Sequence, residues 1–530
     1  MTGVGVVLRL ARRRDGLVWA LWALALVFLM PLTASKYHDL VPVGADPQVT
    51  LAPITSSPSM LGLLGPAFSV ASTGGFVYWR VGGFTALMAA LAVGFLVIRA
   101  TRVEEDAGRA EMLRAGVVSP HAPLLAAALE AVIGSLAIGV LSAVLAGAAG
   151  LGWAGSWAAG ASIAAGGLVM AGPALVCAQL FGTARSARGW CLGLVYGGLF
   201  LARMGVDAQG TTSSVDRLRW VIPLEWPLLA RPWAGDRWWV FLVPLLWFVA
   251  LAGLAVVLES RRDHGSGLRQ PRPGPDRSRL TVGPALSWRL ERGLVLGWFL
   301  GTTVAALGTG SILEQASSTM RSNPAMARML EAMGGSDDVT IASDIAMLSI
   351  IGSILLVMAV TLVARLRSEE TAGRVEPLLA TTLPRTRLIL GQLGVALVAT
   401  SITLVAAGAA VPLSSASSSG DWGSVARYLG AAAALLPGVW LLVGLTAFLV
   451  GCAPRLVPLA WVVVGWTIAA AWLGPVLGLP GWAQRLQPFG HLAVPPRDVM
   501  DWRPFLVESA VALVLGAAGV LGWRRRDVPA

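Results

Sequence analysis

Lysine is almost missing from this sequence of 530 residues, where Lys36 is the only lysine among 40 basic residues. The loop that cradles nucleotide phosphates in many ATPases ends in Lys-Ser or Lys-Thr, and no such pair occurs here. The sequence therefore excludes ATP hydrolysis by that route. Charged residues are also scarce, at 13%, against roughly 25% in soluble domains. This scarcity argues against a soluble enzyme, a disordered chain and a nucleic-acid-binding domain.

Cysteine and histidine are equally rare. The three cysteines fall in or beside apolar runs, and the four histidines are scattered: Cys177, Cys191, Cys452, His38, His121, His264 and His491. Their spacing indicates neither a disulfide framework nor a set of metal ligands. We therefore expect no metal and no cofactor on this chain.

Long apolar runs are abundant: 56% of the residues are hydrophobic and the mean hydropathy is +0.71. A helix that crosses a bilayer needs about 20 mostly apolar residues. Twelve runs have that character, near Leu17–Ala34, Val81–Ala100, Leu124–Ala149, Ala158–Phe181, Trp190–Val206, Trp239–Leu258, Gly293–Ile312, Asp344–Val363, Leu388–Pro412, Tyr428–Val450, Val457–Leu479 and Phe505–Gly522. We predict an all-α polytopic membrane protein with twelve transmembrane helices.

The arginines predict the orientation of these helices. Cytoplasmic loops of membrane proteins are rich in Arg and Lys, and most arginines fall on one side when both chain ends are placed in the cytoplasm. The heavy use of Ala, Gly and Arg is typical of a GC-rich bacterial genome. We therefore expect a multi-pass protein of the bacterial cell membrane, with both termini cytoplasmic and an uncleaved first helix.

A linker divides the chain into two six-helix halves. Residues 1–259 form the first predicted half, 260–292 a basic, proline-rich cytoplasmic linker, and 293–530 the second half. The end of the linker, Ala285–Arg292, resembles Val7–Arg13 near the N-terminus. Both patterns predict short basic amphipathic helices that lie on the membrane surface before a span.

One cytoplasmic segment occurs twice, after the second span of each half. Arg102–Ala115, the first repeat segment, aligns without gaps to Arg367–Ala380, the second repeat segment, with nine of fourteen positions identical at an offset of 265. An offset of half the chain indicates a duplication of six spans. Both halves start inside, so the repeats are parallel and form a pseudo-dimer.

The repeat segments carry matched glutamates. If each were one continuous helix, Glu105 and Arg109 would be i,i+4 partners, as would Glu370 and Arg374. A glycine weakens a helix by roughly 1 kcal/mol, so Gly at one position in both copies indicates close approach by a partner or a bend. A docking surface explains the matched glutamates better than a solvated loop that only orients the chain, since acidic residues contribute little to orientation.

The second repeat segment and its extension, Ser368–Arg385, resemble the cytoplasmic signature of ABC-2-type exporter permeases: a Glu-rich stretch, a Gly, a further Glu, a Leu pair and a Pro-x-Arg ending. The first copy departs from it with Leu113-Arg114 at the Leu pair and Ser119-Pro120 at its end. The resemblance implies a cytoplasmic coupling helix in each half that docks on an ATPase subunit. The implied coupling residues are Glu104, Glu105, Gly108, Arg109, Glu111, Leu113, Glu369, Glu370, Gly373, Arg374, Glu376 and Leu378.

In length and architecture the whole chain resembles the actinobacterial exporters of polyketide antibiotics, the tetronasin-type permeases. This resemblance implies two copies of a separate ATPase that binds ATP and Mg²⁺, and a hydrophobic or amphiphilic cargo such as an antibiotic or a drug. It also implies that short helices over Trp220–Trp226 and Leu486–Leu492 cap the exit. The second and fifth spans of each half would face the cargo path, through Phe84, Met88, Tyr196, Phe200, Met347, Ile351, Trp461 and Trp466.

Two other classes of function stay open at this point. A proton-coupled secondary transporter would need an ionisable group inside the membrane, and Glu130 in the third span is the best candidate. Its repeat counterpart is Val395, so it is not a symmetric feature. A membrane-embedded transferase or hydrolase would need clustered acids, for which Asp337-Asp338 is the one adjacent aspartate pair.

Overall fold

The computed structural model describes residues 3–526, except 38–40, 42–45, 56–57, 115–117, 212–213, 264, 270–282, 323–335, 382, 420–421, 478–481, 483–484 and 496–498. The chain divides into two compact units, Met1–Gly274 and Pro275–Ala530. The division falls inside the predicted linker. Among the described residues the structure is helical, without strands beyond an isolated bridge between Phe181 and Arg269. The predicted all-α polytopic fold is confirmed.

Six long helices form the first unit: α1 (Val4–Val27), α2 (Gly83–Ala100), α3 (Ala122–Ala148), α4 (Trp153–Leu180), α5 (Gly197–Asp207) and α6 (Leu242–Ser260). Short helices cover Leu29–Ser35, Pro47–Thr55, Pro58–Leu64, Thr73–Val77, Arg102–Asp106, Arg109–Arg114, Ala184–Arg188, Ser214–Trp220, Pro223–Glu225, Trp226–Leu229 and Trp238–Phe241. Two π-helical turns, Tyr78–Gly82 and Gly189–Tyr196, lead into α2 and α5. Helix α4 is buried along most of its length, between α2, α3 and α6.

The main helices in the described part of the second unit are α7 (Gly283–Ser322), α8 (Ser336–Thr371), α9 (Arg385–Ser419), α10 (Leu436–Cys452), α11 (Pro458–Leu477) and α12 (Trp502–Arg525). Short helices cover Val375–Leu379, Gly423–Ala434 and Pro454–Leu456. The core of this unit consists of buried Leu, Val, Ile and Ala side chains of α8, α9 and α10. Asp337 and Asp338, the adjacent aspartate pair of the sequence, lie in the first turn of α8.

Eleven helical segments in the described part of the chain are long and apolar enough to cross a membrane. They match eleven of the predicted spans. The predicted eleventh span, Val457–Leu479, coincides with helix α11 (Pro458–Leu477), where the described apolar stretch Pro454–Ile468 is shorter than the other eleven. Helices suit a bilayer because each backbone N–H and C=O is bonded within its own segment. The chain is therefore a multi-pass membrane protein.

The structure differs from the predicted amphipathic helices before the first span of each half. Val7–Arg13 lies within α1 and Ala285–Arg292 lies within α7, and each helix continues into its span without a break. A buried carboxylate near each junction, Asp15 or Glu291, bonds an arginine from the end of the following span. These ion pairs satisfy the buried carboxylates where each basic segment joins its span.

Candidate functional site

The two repeat segments bend at their matched glycines. Gly108 has φ +70° and Gly373 has φ +69°, the left-handed conformation that glycine adopts without strain. The segments are therefore not continuous helices: helix Arg102–Asp106 ends before Gly108, and α8 ends at Thr371 before Gly373. A Cβ at either glycine would meet nothing within 4 Å. The glycines serve a turn, and close approach within the chain does not explain them.

The turn changes the ion pairs of the repeat segments. Arg109 pairs with Glu104 at 2.6 Å and Arg374 pairs with Glu369 at 2.5 Å, five residues apart in both copies. The i,i+4 pairs that the sequence predicted for Glu105 and Glu370 are wrong, because the left-handed glycine interrupts the helical spacing. The neighbouring carboxylates raise the pKa of Arg109 and of Arg374. Each ion pair bridges the two sides of its glycine turn on the exposed face.

Valine in place of Gly108 and Gly373 is expected to destabilise the turns. A β-branched residue in the left-handed region costs about 1–2 kcal/mol, and the space around each Cβ is open, so the cost is conformational. We expect the double variant to melt about 2–4 °C lower in detergent. Asn tolerates this region, so the matched Gly→Asn variant should melt near the unmodified chain. Equal melting temperatures for both variants would contradict the turn assignment.

The second glutamate of each repeat segment points inward. Glu105 binds Arg102 at 2.6 Å and also binds Arg262, which follows α6. Glu370 binds Arg367 at 2.8 Å and Arg526 at 2.7 Å, immediately after α12. These two sets, Arg102–Glu105–Arg262 and Arg367–Glu370–Arg526, are called the Arg–Glu–Arg clamps. Two of the sequence-predicted docking residues are thus engaged within their own half.

Other predicted docking residues form the outer side of the repeat segments. Arg109 and Glu111 are exposed in the first half, and Arg374 and Glu376 are exposed in the second. Met112 adds an apolar side chain with 71% exposure beside Glu111. The two predicted leucines differ: Leu378 is half-buried, and the side chain of Leu113 lies outside the described part.

The sequence reading missed a second matched feature, next to the repeat segments. Asp15 of α1 bonds Arg99 of α2 at 2.7 Å, and Glu291 of α7 bonds Arg365 of α8 at 2.9 Å. Both carboxylates are buried. The sequence did contain an indication of these pairs. Each acid is next to an arginine at the start of a span, where a carboxylate needs a partner. Arg14 links this pair to the repeat segment through Glu104, at 2.8 Å.

A cavity of about 390 Å³ lies between the first repeat segment and α1. Its polar lining includes Arg14, Glu104, Arg109 and Arg262. Its apolar lining comes from α1 and α3, for example Leu10. The exposed turn of the first repeat segment therefore lies beside a cavity that is partly lined by charged side chains.

Three of the four predicted cargo-path residues of the first half lie close together. The Tyr196 hydroxyl donates to the Leu87 carbonyl at 3.1 Å, which joins the fifth and second spans next to Met88. Tyr196 stacks on Phe200, with ring centroids 6.4 Å apart. Met88, Tyr196 and Phe200 are half-buried against the core, whereas Phe84 is exposed.

The cargo-path residues of the second half do not share one environment. Ile351 is buried in the core of its unit, and Met347 is half-buried on the same helix. Trp461 is exposed and Trp466 is half-buried on α11. Ile351 is therefore a packing residue, and Trp461 is the most accessible of the four.

Glu130 lies buried in α3. Its Oε1 accepts a hydrogen bond from the indole N–H of Trp19 in α1 at 3.0 Å. The bond holds α1 against α3 within the first half. This contact gives Glu130 a packing role that does not require proton transport.

A buried ionic cluster lies at the end of the first half opposite its repeat segment. Arg203 forms ion pairs with Glu225 at 2.9 Å and with Asp207 at 3.4 Å, and Arg219 donates a hydrogen bond to Asp207 at 3.1 Å. All four side chains are at most 1% exposed. Burial, with Asp207 beside it, raises the pKa of Glu225 to about 8. The cluster attaches α5 to the short helices that precede α6.

The buried ionic cluster has no counterpart at the repeat offset. Ile468 and Gly490 stand where the first half has Arg203 and Glu225. The predicted exit-capping segment Trp220–Trp226 does contain short helices.

The apolar helices in the described part of the chain define a multi-pass membrane protein. Residues 280–524 match the family described as "Multidrug efflux system permease Rv1217c, C-terminal domain". The "Multidrug efflux system permease protein Rv1217c" of Mycobacterium tuberculosis is 35% identical over 535 residues, which cover 99% of this chain and 95% of that relative. The chain belongs to this family of multidrug efflux system permeases.

Proposed function

We propose that the chain is the membrane subunit of an ATP-driven ABC exporter. The repeat segments dock on two copies of a separate ATPase subunit, which binds ATP and Mg²⁺. The single observation that carries the proposal is the shared build of the two segments: a glycine turn, an inner glutamate bound to two arginines, and an exposed outer Glu–Arg surface. Two equivalent surfaces suit two copies of one partner.

The proposed cargo is lipophilic or amphiphilic. The named relative is a multidrug efflux permease, and an apolar groove of about 1080 Å³ runs along α9, α10 and α12. A cargo of the polyketide antibiotic class fits the narrower resemblance of the sequence. Hydrophobic pockets bind such compounds with few fixed polar contacts.

Co-purification from the native host tests the ATPase pairing. We expect about two ATP-binding chains per permease by native mass spectrometry, and export of an amphiphilic dye only when ATP is present. A chain that purifies alone and exports dye from proteoliposomes under a proton gradient without nucleotide would replace this proposal. Glu130→Gln would then be the variant to examine, whereas an ATP-driven exporter should tolerate it.

Charge reversal of the outer surface tests where the ATPase docks. Glu111→Lys with Glu376→Lys changes one exposed carboxylate in each repeat segment and leaves the clamps intact. Like charges placed across an interface cost several kcal/mol, so we expect at least about tenfold less ATPase subunit bound per permease. The measurement is the ratio of the two chains after affinity purification.

Two control variants are needed to interpret this result. Glu111→Gln with Glu376→Gln removes charge without reversing it and should weaken binding less. Asp46→Lys reverses an exposed acid in a segment between the first two spans and should leave the ratio unchanged. Unreduced ATPase binding in the Lys double variant would show that docking lies elsewhere. Reversal of Glu369 and Glu370 is less informative, since both are paired within the chain.

A further inference from the structure

In both halves the residue that follows the last span reaches back to the repeat segment. Arg262 lies two residues past α6 and contacts Glu105 across 157 positions of sequence. Arg526 lies one residue past α12 and contacts Glu370 across 156 positions. The contact therefore recurs in both copies, between elements that are remote in sequence.

The clamp of the first half is almost completely buried. The side chains of Arg102, Glu105 and Arg262 are 0%, 11% and 3% exposed. Arg102 also donates to the carbonyl of Ala178 at 2.6 and 3.0 Å, at the end of α4. Arg262 donates to the side chain of Gln179 at 2.7 Å. The clamp thus connects the repeat segment to the ends of both α4 and α6.

The clamp of the second half reaches the same pairing through different neighbours. The Glu370 side chain is 0% exposed. Arg526 stacks over Trp523 of α12, 4.9 Å from the ring centroid, and Trp523 is itself buried. The carbonyl of Arg526 accepts from Arg385 at the start of α9, at 2.9 Å. Arg526 is therefore fixed to α12 and to α9 while it binds Glu370.

The repeat offset does not predict this pairing. At an offset of 265, Arg526 aligns with Arg261, yet Arg262 makes the contact in the first half. The neighbouring arginines, Arg261 and Arg525, are exposed. The two halves therefore use arginines at different aligned positions. In each half, however, an arginine just after the sixth span binds the inner glutamate of the repeat segment.

We infer that the Arg–Glu–Arg clamps carry the motion of the repeat segments to the sixth span of each half, with Arg262 and Arg526 as positioning residues for transport. This inference rests on the proposed function, in which the ATPase moves the outer surface of each segment. Charge-assisted hydrogen bonds at 2.6–3.0 Å in a buried setting are short and directional. A displacement of the turn therefore displaces the end of α6 or α12 with it.

The decisive variant is Arg262→Gln with Arg526→Gln. Each glutamate keeps its other arginine, Arg102 or Arg367, so no carboxylate is left unpaired in the fold. We expect the ATPase subunit to co-purify at an unchanged ratio and ATP to be hydrolysed. The number of dye molecules exported per ATP should fall at least about tenfold. A purely structural role would lower the yield of protein without changing this ratio.

Arg261→Gln with Arg525→Gln is the matched control, with the same change of charge one residue earlier. It should export dye at the unmodified ratio to ATP. Arg262→Lys with Arg526→Lys keeps the charge but loses the planar guanidinium, which binds Glu105 through two N–H groups at Arg262 and Glu370 through one at Arg526. This variant should give an intermediate ratio. If the Gln variant is poorly folded by size-exclusion chromatography, the Lys variant decides the question in the same assay.

Several results would overturn the inference. An unchanged number of dye molecules exported per ATP in the Gln variant would overturn it. If the Gln variant is poorly folded, the same result in the Lys variant would overturn it. Equal losses in the Arg261/Arg525 control would show a general charge effect. Loss of the ATPase subunit from the Gln variant alone would make the clamp part of the docking surface. Failure of the unmodified chain to bind an ATPase subunit would instead refute the proposed function.

Discussion

Replacement of Arg203 by Met is expected to destabilise the first half by about 1–3 kcal/mol, because the buried carboxyl group of Glu225 loses its arginine partner and Asp207 keeps only Arg219. Arg203 is fully buried and contacts both Asp207 and Glu225. Met has a similar length but cannot satisfy either carboxyl group. The measurement is thermal unfolding of the purified chain in detergent, with protein yield as a second readout.

Glu225→Gln is the matched comparison for Arg203→Met. The pKa of Glu225 is raised to about 8 by burial and by Asp207, so its carboxyl group carries a proton near neutral pH. Gln is then close to the native group in size and charge, and we expect a much smaller loss than for Met at 203. Equal losses would contradict the protonated state of Glu225. Unchanged stability in Arg203→Met would contradict the buried ionic cluster itself.

Valine at Gly519 is expected to separate two helices of the second half. A Cβ at Gly519 would lie 2.4 Å from the backbone carbonyl atoms of Ala447, and one at Gly451 would lie 1.9 Å from the Gly519 oxygen. Small residues allow such close backbone contact between membrane helices. Overpacking of this kind costs about 3 kcal/mol, and we expect a lower melting temperature together with lost dye export.

Gly516→Val provides the control for Gly519→Val. Gly516 lies on the same helix, α12, and a Cβ there would meet nothing within 4 Å. The two variants share helix propensity and side-chain size, but Gly519 faces α10 whereas Gly516 faces the open apolar groove. The comparison is therefore made on melting temperature and not on dye export. Equal melting temperatures would contradict the close packing of α10 and α12.

The membrane character and the repeat were predictable from the sequence. A membrane span is recognised from the apolar composition of about 20 consecutive residues. This recognition does not require knowing which helices pack beside it. The identity between Arg102–Ala115 and Arg367–Ala380 is likewise visible without a structure. The comparison with the multidrug efflux permease agrees with the predicted class of transport protein.

The local geometry of the repeat segments was only partly predictable. The matched glycines indicated either a bend or a partner, and their positive φ values favour the bend. That turn redirects Arg109 to Glu104 and frees Glu105 to bind elsewhere. Helical spacing rules do not extend across a left-handed residue, so the pairing could not be worked out from i,i+4 positions.

The class of the protein, its apolar spans and its duplicated segment follow from the sequence, because local composition and the identity of two segments can be compared without knowledge of the fold. The tertiary structure alone decided which arginine binds which glutamate, since Arg262 and Glu105 are 157 positions apart. It also decided that Ile351 packs in a core and that Arg203 is buried among carboxylates. A buried charge selects its partner by distance in space, and helix packing sets that distance.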